Sequence, residues 1–384
     1  MRRILGGFLV IFITLMVLLA AEGVFRLTTE AFPTASNATY EPDIHTMYRH
    51  KPSSSGWEVS PVDEFEPAFV EYNSLGFRGE DFPLEKPSGE RRIALLGDSI
   101  VEGRQMGEAQ TMASRLESML GEETGDDVRV INAGVSAFTT TTANLMLRQY
   151  VLPTSPDAVV YVFFANDYAD NYIYGNYGQY DGILDGDVPE RLIPDMSGPN
   201  WREQPLPWLR RHSAMVHYAL SIGDREATAK SLRQVDAVQG QSDDFRQSAR
   251  NINKQVLDAD EVSVLEFTHS GLEAMNRACR ELGIPFVIAI MPFPPQVSAE
   301  EWKTGKQRYG FAPDATMTTT LYQDRLVEFG REHSIPVVDL LPALRKSSAE
   351  ATNFLNYDGH LTEAGHAATA AALVPTISRI LKHR

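Results

Sequence analysis

Five short apolar runs, separated by helical patterns, constrain this chain more than any other feature. The runs are Ile93-Ala94-Leu95-Leu96, Val128-Arg129-Val130-Ile131, Ala158 to Phe164, Pro285 to Ile290 and Ile335 to Leu340. Helical spacing covers Met112 to Leu120 and Thr142 to Val151, then roughly Val264 to Leu282, Thr319 to His333 and Thr362 to Leu381. Continuous apolar, β-branched runs alternating with helices are the pattern of a parallel sheet buried on both faces. Right-handed crossovers then place helices in a layer on each side. The expected fold class is α/β, a three-layer α/β/α sandwich around a five-stranded parallel sheet over residues 91–384.

Two segments interrupt that pattern. Residues 24–90 carry Pro33, Pro42, Pro52, Pro61, Pro67, Pro83 and Pro87, with short β-like runs such as Phe69-Val70-Glu71-Tyr72. Proline at that density excludes long helices and central strands, so an irregular lead-in is expected to pack on the core. Residues from about 168 to 260 are a long insertion of the kind that forms lids. Its first part is rich in Tyr, Asn, Gly and Asp; its second holds helical stretches, including Leu206 to Ile222.

The amino terminus carries a targeting signal. Arg2 and Arg3 precede the uncharged apolar stretch Ile4 to Ala21. Eighteen residues reach the lower limit for a bilayer span. Positive charge ahead of it predicts a cytoplasmic amino end and an exported remainder. A transmembrane anchor over residues 1–23 is expected, giving a membrane-anchored protein with an extracytoplasmic domain. A cleaved signal peptide with its cut near Ala21-Glu22-Gly23 is the rival reading. The formal net charge of −16 argues against nucleic-acid partners, whose phosphates such a chain repels. Cys279 is the only cysteine, which excludes an intrachain disulfide. Its helical surroundings suggest a small core residue.

In open α/β sheets ligands sit at the carboxyl ends of the strands. After the first run comes Gly97-Asp98-Ser99; after the second, Asn132-Ala133-Gly134. Ala165-Asn166-Asp167 follows the third, and a loop with Tyr357-Asp358-Gly359-His360 follows the last. Together they offer a hydroxyl, a glycine amide, a carboxamide, and a carboxylate beside an imidazole. Acyl transfer needs this set: serine needs a base, histidine provides one, a carboxylate fixes its tautomer, and preorganised donors meet the oxyanion.

These blocks, in this order, resemble the SGNH (GDSL-type) hydrolases, named for Ser, Gly, Asn and His in four blocks. The likeness covers about residues 91–382 and departs from the family in three places. Ile100 replaces the usual Leu, and Phe164 stands where the third block often has Gly. Tyr357 holds the usual Asp position, three before the His, while Asp358 lies two before. The resemblance implies a flavodoxin-like sandwich, with Ser99 as nucleophile and His360 as general base oriented by Asp358. It also implies an oxyanion hole from the Ser99 and Gly134 amides and the Asn166 side chain, with no cofactor and no metal. Asp358 has a second open role, capping the helix that begins after Leu361. Asn73-Ser74-Leu75-Gly76-Phe77-Arg78-Gly79 is similar to the lead-in of many membrane-anchored bacterial members. Arg78 there is open to two readings, packing on the core edge or contact with substrate.

The function expected is a serine ester hydrolase acting on a small-molecule or glycan ester, removing short acyl groups from an envelope or extracellular glycan. Two alternatives stand beside it. The D-x-H spacing resembles an acyltransferase-like branch that modifies exopolysaccharides, which gives an O-acyltransferase. A catalytically silent glycan-binding protein is the other. Tyr168, Tyr172, Tyr174, Tyr177 and Tyr180 suit either sugar stacking or loop packing. No HExxH or cysteine-based metal motif is present. Asp181, Asp185 and Asp187 read as a solvated turn, and His366, His212 and His217 as packed, capping or solvated residues.

Overall fold

The computed structural model describes residues 2–28, 39–173, 188, 190, 193, 202, 205–233, 255–308 and 311–383. The sheet strands are β5 (Glu90–Gly97), β6 (Asp127–Gly134), β7 (Ala158–Phe163), β8 (Phe286–Ile290) and β9 (Val337–Asp339), all parallel, in the order β6-β5-β7-β8-β9. Successive strand side chains point to opposite faces. Ala94 and Leu96 therefore join one apolar cluster with Tyr161, Phe163 and Ile288, while Ile93 and Leu95 join another with Val160, Val162 and Val287. Helices cover both. The first cluster packs under α4 (Thr140–Met146), α8 (Ala259–Glu281) and α11 (Leu321–His333), the short α9 (Pro294–Val297) and α10 (Gly305–Arg308) lying between the last two in the chain. The second packs under α3 (Met112–Thr124), α12 (Leu341–Ser347) and α13 (Glu363–Lys382). This is the expected three-layer sandwich, with the doubly wound order typical of flavodoxin-like sheets.

In that order the chain reverses direction between β5 and β7. The crevice at their carboxyl ends is where doubly wound sheets bind ligands. Ser99 opens α2 (Ser99–Glu102) directly after β5, and Asn166 opens α5 (Asn166–Ile173) directly after β7.

The lead-in is more regular than its prolines suggested. It forms two antiparallel hairpins, β1 (Tyr40–Asp43) with β2 (Met47–His50), and β3 (Ser54–Glu58) with β4 (Ala68–Tyr72). The strands have only four or five residues; β2, β3 and β4 fit between prolines, and β1 takes Pro42 in its pairing with Tyr48. Arg78 bridges Tyr72 to Asn132, so the second hairpin leans on the β6 edge of the sheet. The helical pattern from Thr142 continues past Met146 only as a π turn, Leu147–Val151, ahead of Pro153. The stretch Leu206 to Ile222 is two helices, α6 (Pro205–His212) and α7 (Ala214–Arg233). Ser213 separates them by capping α7, its Oγ accepting the Val216 N–H at 3.2 Å.

Helix α1 (Arg2–Thr28) contains a segment, Gly6–Thr28, long and apolar enough to cross a membrane. Its side chains from Phe8 to Leu19 stand exposed. A signal sequence shares these properties.

Candidate active site

Four chain segments meet at the crevice. Asp98 ends the β5 turn and caps α2, its Oδ1 accepting the Ile100 N–H at 2.9 Å. Ser99 is therefore the first residue of the helix rather than its cap. Its N–H belongs to the donors a helix leaves unpaired at its start. Ser99 Oγ lies 2.8 Å from His360 Nε2, and His360 Nδ1 lies 2.5 Å from Asp358 Oδ1. The two side chains of that pair are 27% and 28% exposed, so the crevice is open to a substrate. The helix that follows is capped by Thr362, whose Oγ1 accepts the Gly365 N–H at 3.2 Å. The capping role open to Asp358 thus falls to Thr362, and Asp358 faces the imidazole.

Two residues without a sequence signal hold Asp358 in place, one through its carboxylate and one through the loop backbone. Gln105 Nε2 donates to Asp358 Oδ2 at 3.2 Å. Glu64, from the lead-in, accepts the N–H groups of Tyr357 and Asp358 at 2.8 and 3.1 Å. The electrostatics follow. Burial alone lowers the pKa of His360, but the Asp358 charge and hydrogen bond outweigh it and raise the imidazole to about 9. Burial raises Asp358, yet the same imidazole and Gln105 bring its carboxyl below the usual range.

The remaining donors expected at an oxyanion hole are engaged. Asn166 Nδ2 donates to Asp98 Oδ2 at 2.8 Å and to Asp170 Oδ2 at 2.9 Å. The Gly134 N–H donates to Asn132 Oδ1 at 3.1 Å. Gly134 has a packing role as well. A Cβ there would meet Glu102 N at 2.3 Å and Val101 Cβ at 2.7 Å, so only glycine lets β6 pass this close to α2. Burial and the Asp98 charge raise the Asp170 carboxyl to about 7, against the lowering effect of Asn166. Burial also raises Asp98. A set of reluctant carboxylates thus backs Asn166. Asp167 is structural, accepting from Tyr161 Oη at 2.8 Å and the Phe164 N–H at 3.0 Å. Asn132 Nδ2 likewise donates to the Val101 carbonyl at 3.0 Å.

Glu102, fully buried at the end of α2, was not legible in advance. It accepts from Tyr72 Oη at 2.7 Å, Tyr40 Oη at 3.1 Å and the Ser136 N–H at 2.9 Å, with His50 Nε2 at 3.5 Å. Burial pushes its carboxyl up, but His50 and Arg104 outweigh that and hold it below the usual range. Arg78 belongs to the same support. It is buried, donates to the carbonyls of Glu102 and Met106 at 2.5 Å, and pairs with Glu108 at 3.0 Å. That settles Arg78 as a packing residue rather than a substrate contact.

The other singled-out residues lie away from the crevice or outside the described residues. His366 is buried and accepts the Met112 N–H at 3.2 Å. His217 and Cys279 are buried. Tyr168 packs edge-on against Phe163 in the core and bonds His269, so it offers no face to a sugar. Tyr174, Tyr177, Tyr180, Asp181, Asp185 and Asp187, and the side chains of Tyr172 and His212, fall outside the described residues.

The GDSL-like lipase/acylhydrolase family profile matches residues 95–368. A comparison with curated proteins gave no match. Among solved structures, a lipase/acylhydrolase from Enterococcus faecalis is 16% identical at a TM-score of 0.38, covering 75% of this chain and 96% of its own. A catalytic mutant of an acetylxylan esterase from Geobacillus stearothermophilus is 13% identical at 0.38, covering 75% and 94%. A GDSL-like lipase from Bacteroides thetaiotaomicron is 12% identical at 0.36, covering 77% and 89%. With a family match over most of its length, the chain belongs to the GDSL-like lipases/acylhydrolases, the SGNH hydrolases, and is an ester hydrolase of that family.

Proposed function

We propose that the protein removes short acyl groups, such as acetyl, from hydroxyls of an envelope or extracellular glycan, through an acyl-enzyme on Ser99. The observation that carries this reading is the unbroken chain from Ser99 Oγ through His360 to Asp358. His360 Nε2 takes the hydroxyl proton as Ser99 Oγ attacks the ester carbonyl. The Asp358 carboxylate stabilises the imidazolium that forms. The imidazolium then protonates the leaving alcohol oxygen, and the ester C–O bond breaks. Water repeats the sequence in reverse, its proton going to His360 as its oxygen takes the acyl group.

The oxyanion is met by the Ser99 N–H, the Gly134 N–H and one Asn166 N–H in this account. For this the Asn132 side chain swings off the Gly134 N–H, and Asn166 gives up its bond to Asp170 while keeping Asp98. Exchanging those partners for the oxyanion makes the donors effective chiefly in the transition state, where they accelerate the reaction. Above about pH 7, where Asp170 is ionised, its carboxylate behind Asn166 disfavours anionic esters and favours a neutral ester of a neutral alcohol. The extracytoplasmic location rests on Arg2, Arg3 and the apolar length of α1.

The test is a panel of esters of rising acyl length, on sugar and simple alcohols, with H360A as control. Fastest release of acetate from acetylated glycans, lost in H360A, is expected. Preference for long acyl chains or anionic esters contradicts the proposal. Acylated glycan exceeding free acid, when acyl donor and acceptor glycan are mixed, assigns the enzyme to transfer instead.

A further inference from the structure

We infer that the hairpin of α6 and α7 is a lipid-binding element that lies in the headgroup layer of an anionic bilayer, beside the point where α1 leaves it. This rests on reading α1 as a membrane span. The uncharged run Ile4 to Ala21 is about 27 Å long as a helix, close to the hydrocarbon thickness. Glu22, the next residue, therefore sits at the bilayer boundary. Its carboxylate accepts Ser213 Oγ at 2.7 Å and the N–H groups of Ala214 and Met215 at 2.6 and 3.2 Å. Three turn and helix-start donors converge on one carboxylate, which fastens the amino end of α7 to the exit of the span. One turn on, the Phe25 ring packs on Tyr218 with centroids 5.4 Å apart.

Beyond that ring contact the face held there is apolar and partly exposed. Met215, Tyr218 and Ile222 are 37%, 37% and 52% exposed, at the spacing of one helix face. On α6, Leu206 and Leu209 are 55% and 44% exposed. A water-facing hairpin would have charges at such positions. Instead α6 and the first half of α7, up to Gly223 and before Asp224 and Glu226, contain no Asp or Glu, in a chain of net charge −16, and they include Arg210 and Arg211 close to Trp208 in the sequence. Exposed leucines, with a tryptophan and two arginines close by in the sequence and no acid among them, suit an anionic lipid interface. The surface is joined to the span through Glu22 and through the Phe25–Tyr218 contact.

The full-length protein in nanodiscs of phosphatidylcholine and phosphatidylglycerol tests this. Single spin labels are placed at L206C, L209C and I222C, with V17C in the span and L282C, on the exposed turn after α8, as references. Cys279 is buried and remains in place. Each variant must keep wild-type ester turnover. Collision with oxygen at the three hairpin sites is expected to exceed that at L282C severalfold, and collision with a water-soluble nickel chelate to fall below it. The difference should shrink in discs without phosphatidylglycerol. If V17C reports hydrocarbon while the hairpin labels match L282C, the inference fails and the anchor reading stands. If V17C is itself aqueous, both fail. Labels shielded from both relaxants and broadened by dipolar coupling between chains assign the face to a second copy and overturn the proposal.

Discussion

Asp358 Oδ1 and His360 Nδ1 stand 2.5 Å apart although a single residue, Gly359, separates them in sequence. Gly359 has a φ of +86°, in the left-handed region that glycine enters freely, and this local fold lets a D-x-H spacing do the work of a longer one. The pair is tied down from outside by Glu64 and Gln105. The carboxylate thus has both the position and the support to orient the proposed base.

The first prediction concerns pH. His360 must be neutral to accept the Ser99 proton, and Asp358 raises its pKa to about 9. The kcat/KM for a neutral ester should therefore rise with pH toward that value. In D358N the midpoint should move to lower pH, because the raising charge is gone. The plateau should fall roughly 10²- to 10⁴-fold with it. A D358N profile with an unchanged midpoint and plateau would show that Asp358 does not act on His360.

Glu64 acts on the loop backbone rather than on substrate. In E64Q the Tyr357 and Asp358 N–H groups lose a charged acceptor. Activity should fall by about 10-fold, the equivalent of about 1.4 kcal/mol, with KM little changed. A rise in KM alone would place Glu64 against substrate instead.

Gly134→Ala forces a methyl into Glu102 N and Val101. Overpacking of this kind costs about 1–3 kcal/mol. Because it displaces α2, which carries Ser99, both Tm and kcat should drop. A variant with wild-type Tm and kcat would contradict the close packing of β6 on α2.

Asp170 gives a prediction with a definite sign. Its carboxyl is raised from 3.8 to about 7 in the folded protein. The unfolded chain ionises it freely above 3.8, so its contribution to stability falls as pH rises from about 4 through 7. D170N carries no such penalty. Its Tm should exceed the wild type at pH 8, with a smaller gap at pH 5, as read by calorimetry. At pH 8, where Asp170 is largely ionised, releasing Asn166 from that charge should also leave turnover equal or faster. A lower Tm at pH 8 would contradict the placement of Asp170.

The sheet and its strand-end residues were legible because they depend on local pattern. Val159, Val160 and Val162 point to a buried strand wherever they occur, and Ser99 and Asn166 lie within three residues of strand ends. The D-x-H pair is local too, and only its geometry was open. Support for the site was not legible because it is non-local. Gln105 and Asp358 are 253 residues apart, and Glu64 and Tyr357 are 293 apart. Of the lead-in strands only β4 showed, as the run Phe69 to Tyr72, because strands of four or five residues carry little periodicity. Glu102 reads in sequence as an ordinary helical glutamate. Only the convergence of Tyr40, His50, Tyr72 and Ser136 makes it a buried hub.

The central claim is that Ser99 is the nucleophile, and a fluorophosphonate probe with intact-mass and peptide mapping tests it most directly. One adduct per chain is predicted, on Ser99, absent in S99A and strongly slowed in H360A, with ester turnover lost in parallel. An adduct on another residue, or an S99A protein that still hydrolyses ester at the wild-type rate, would contradict the account.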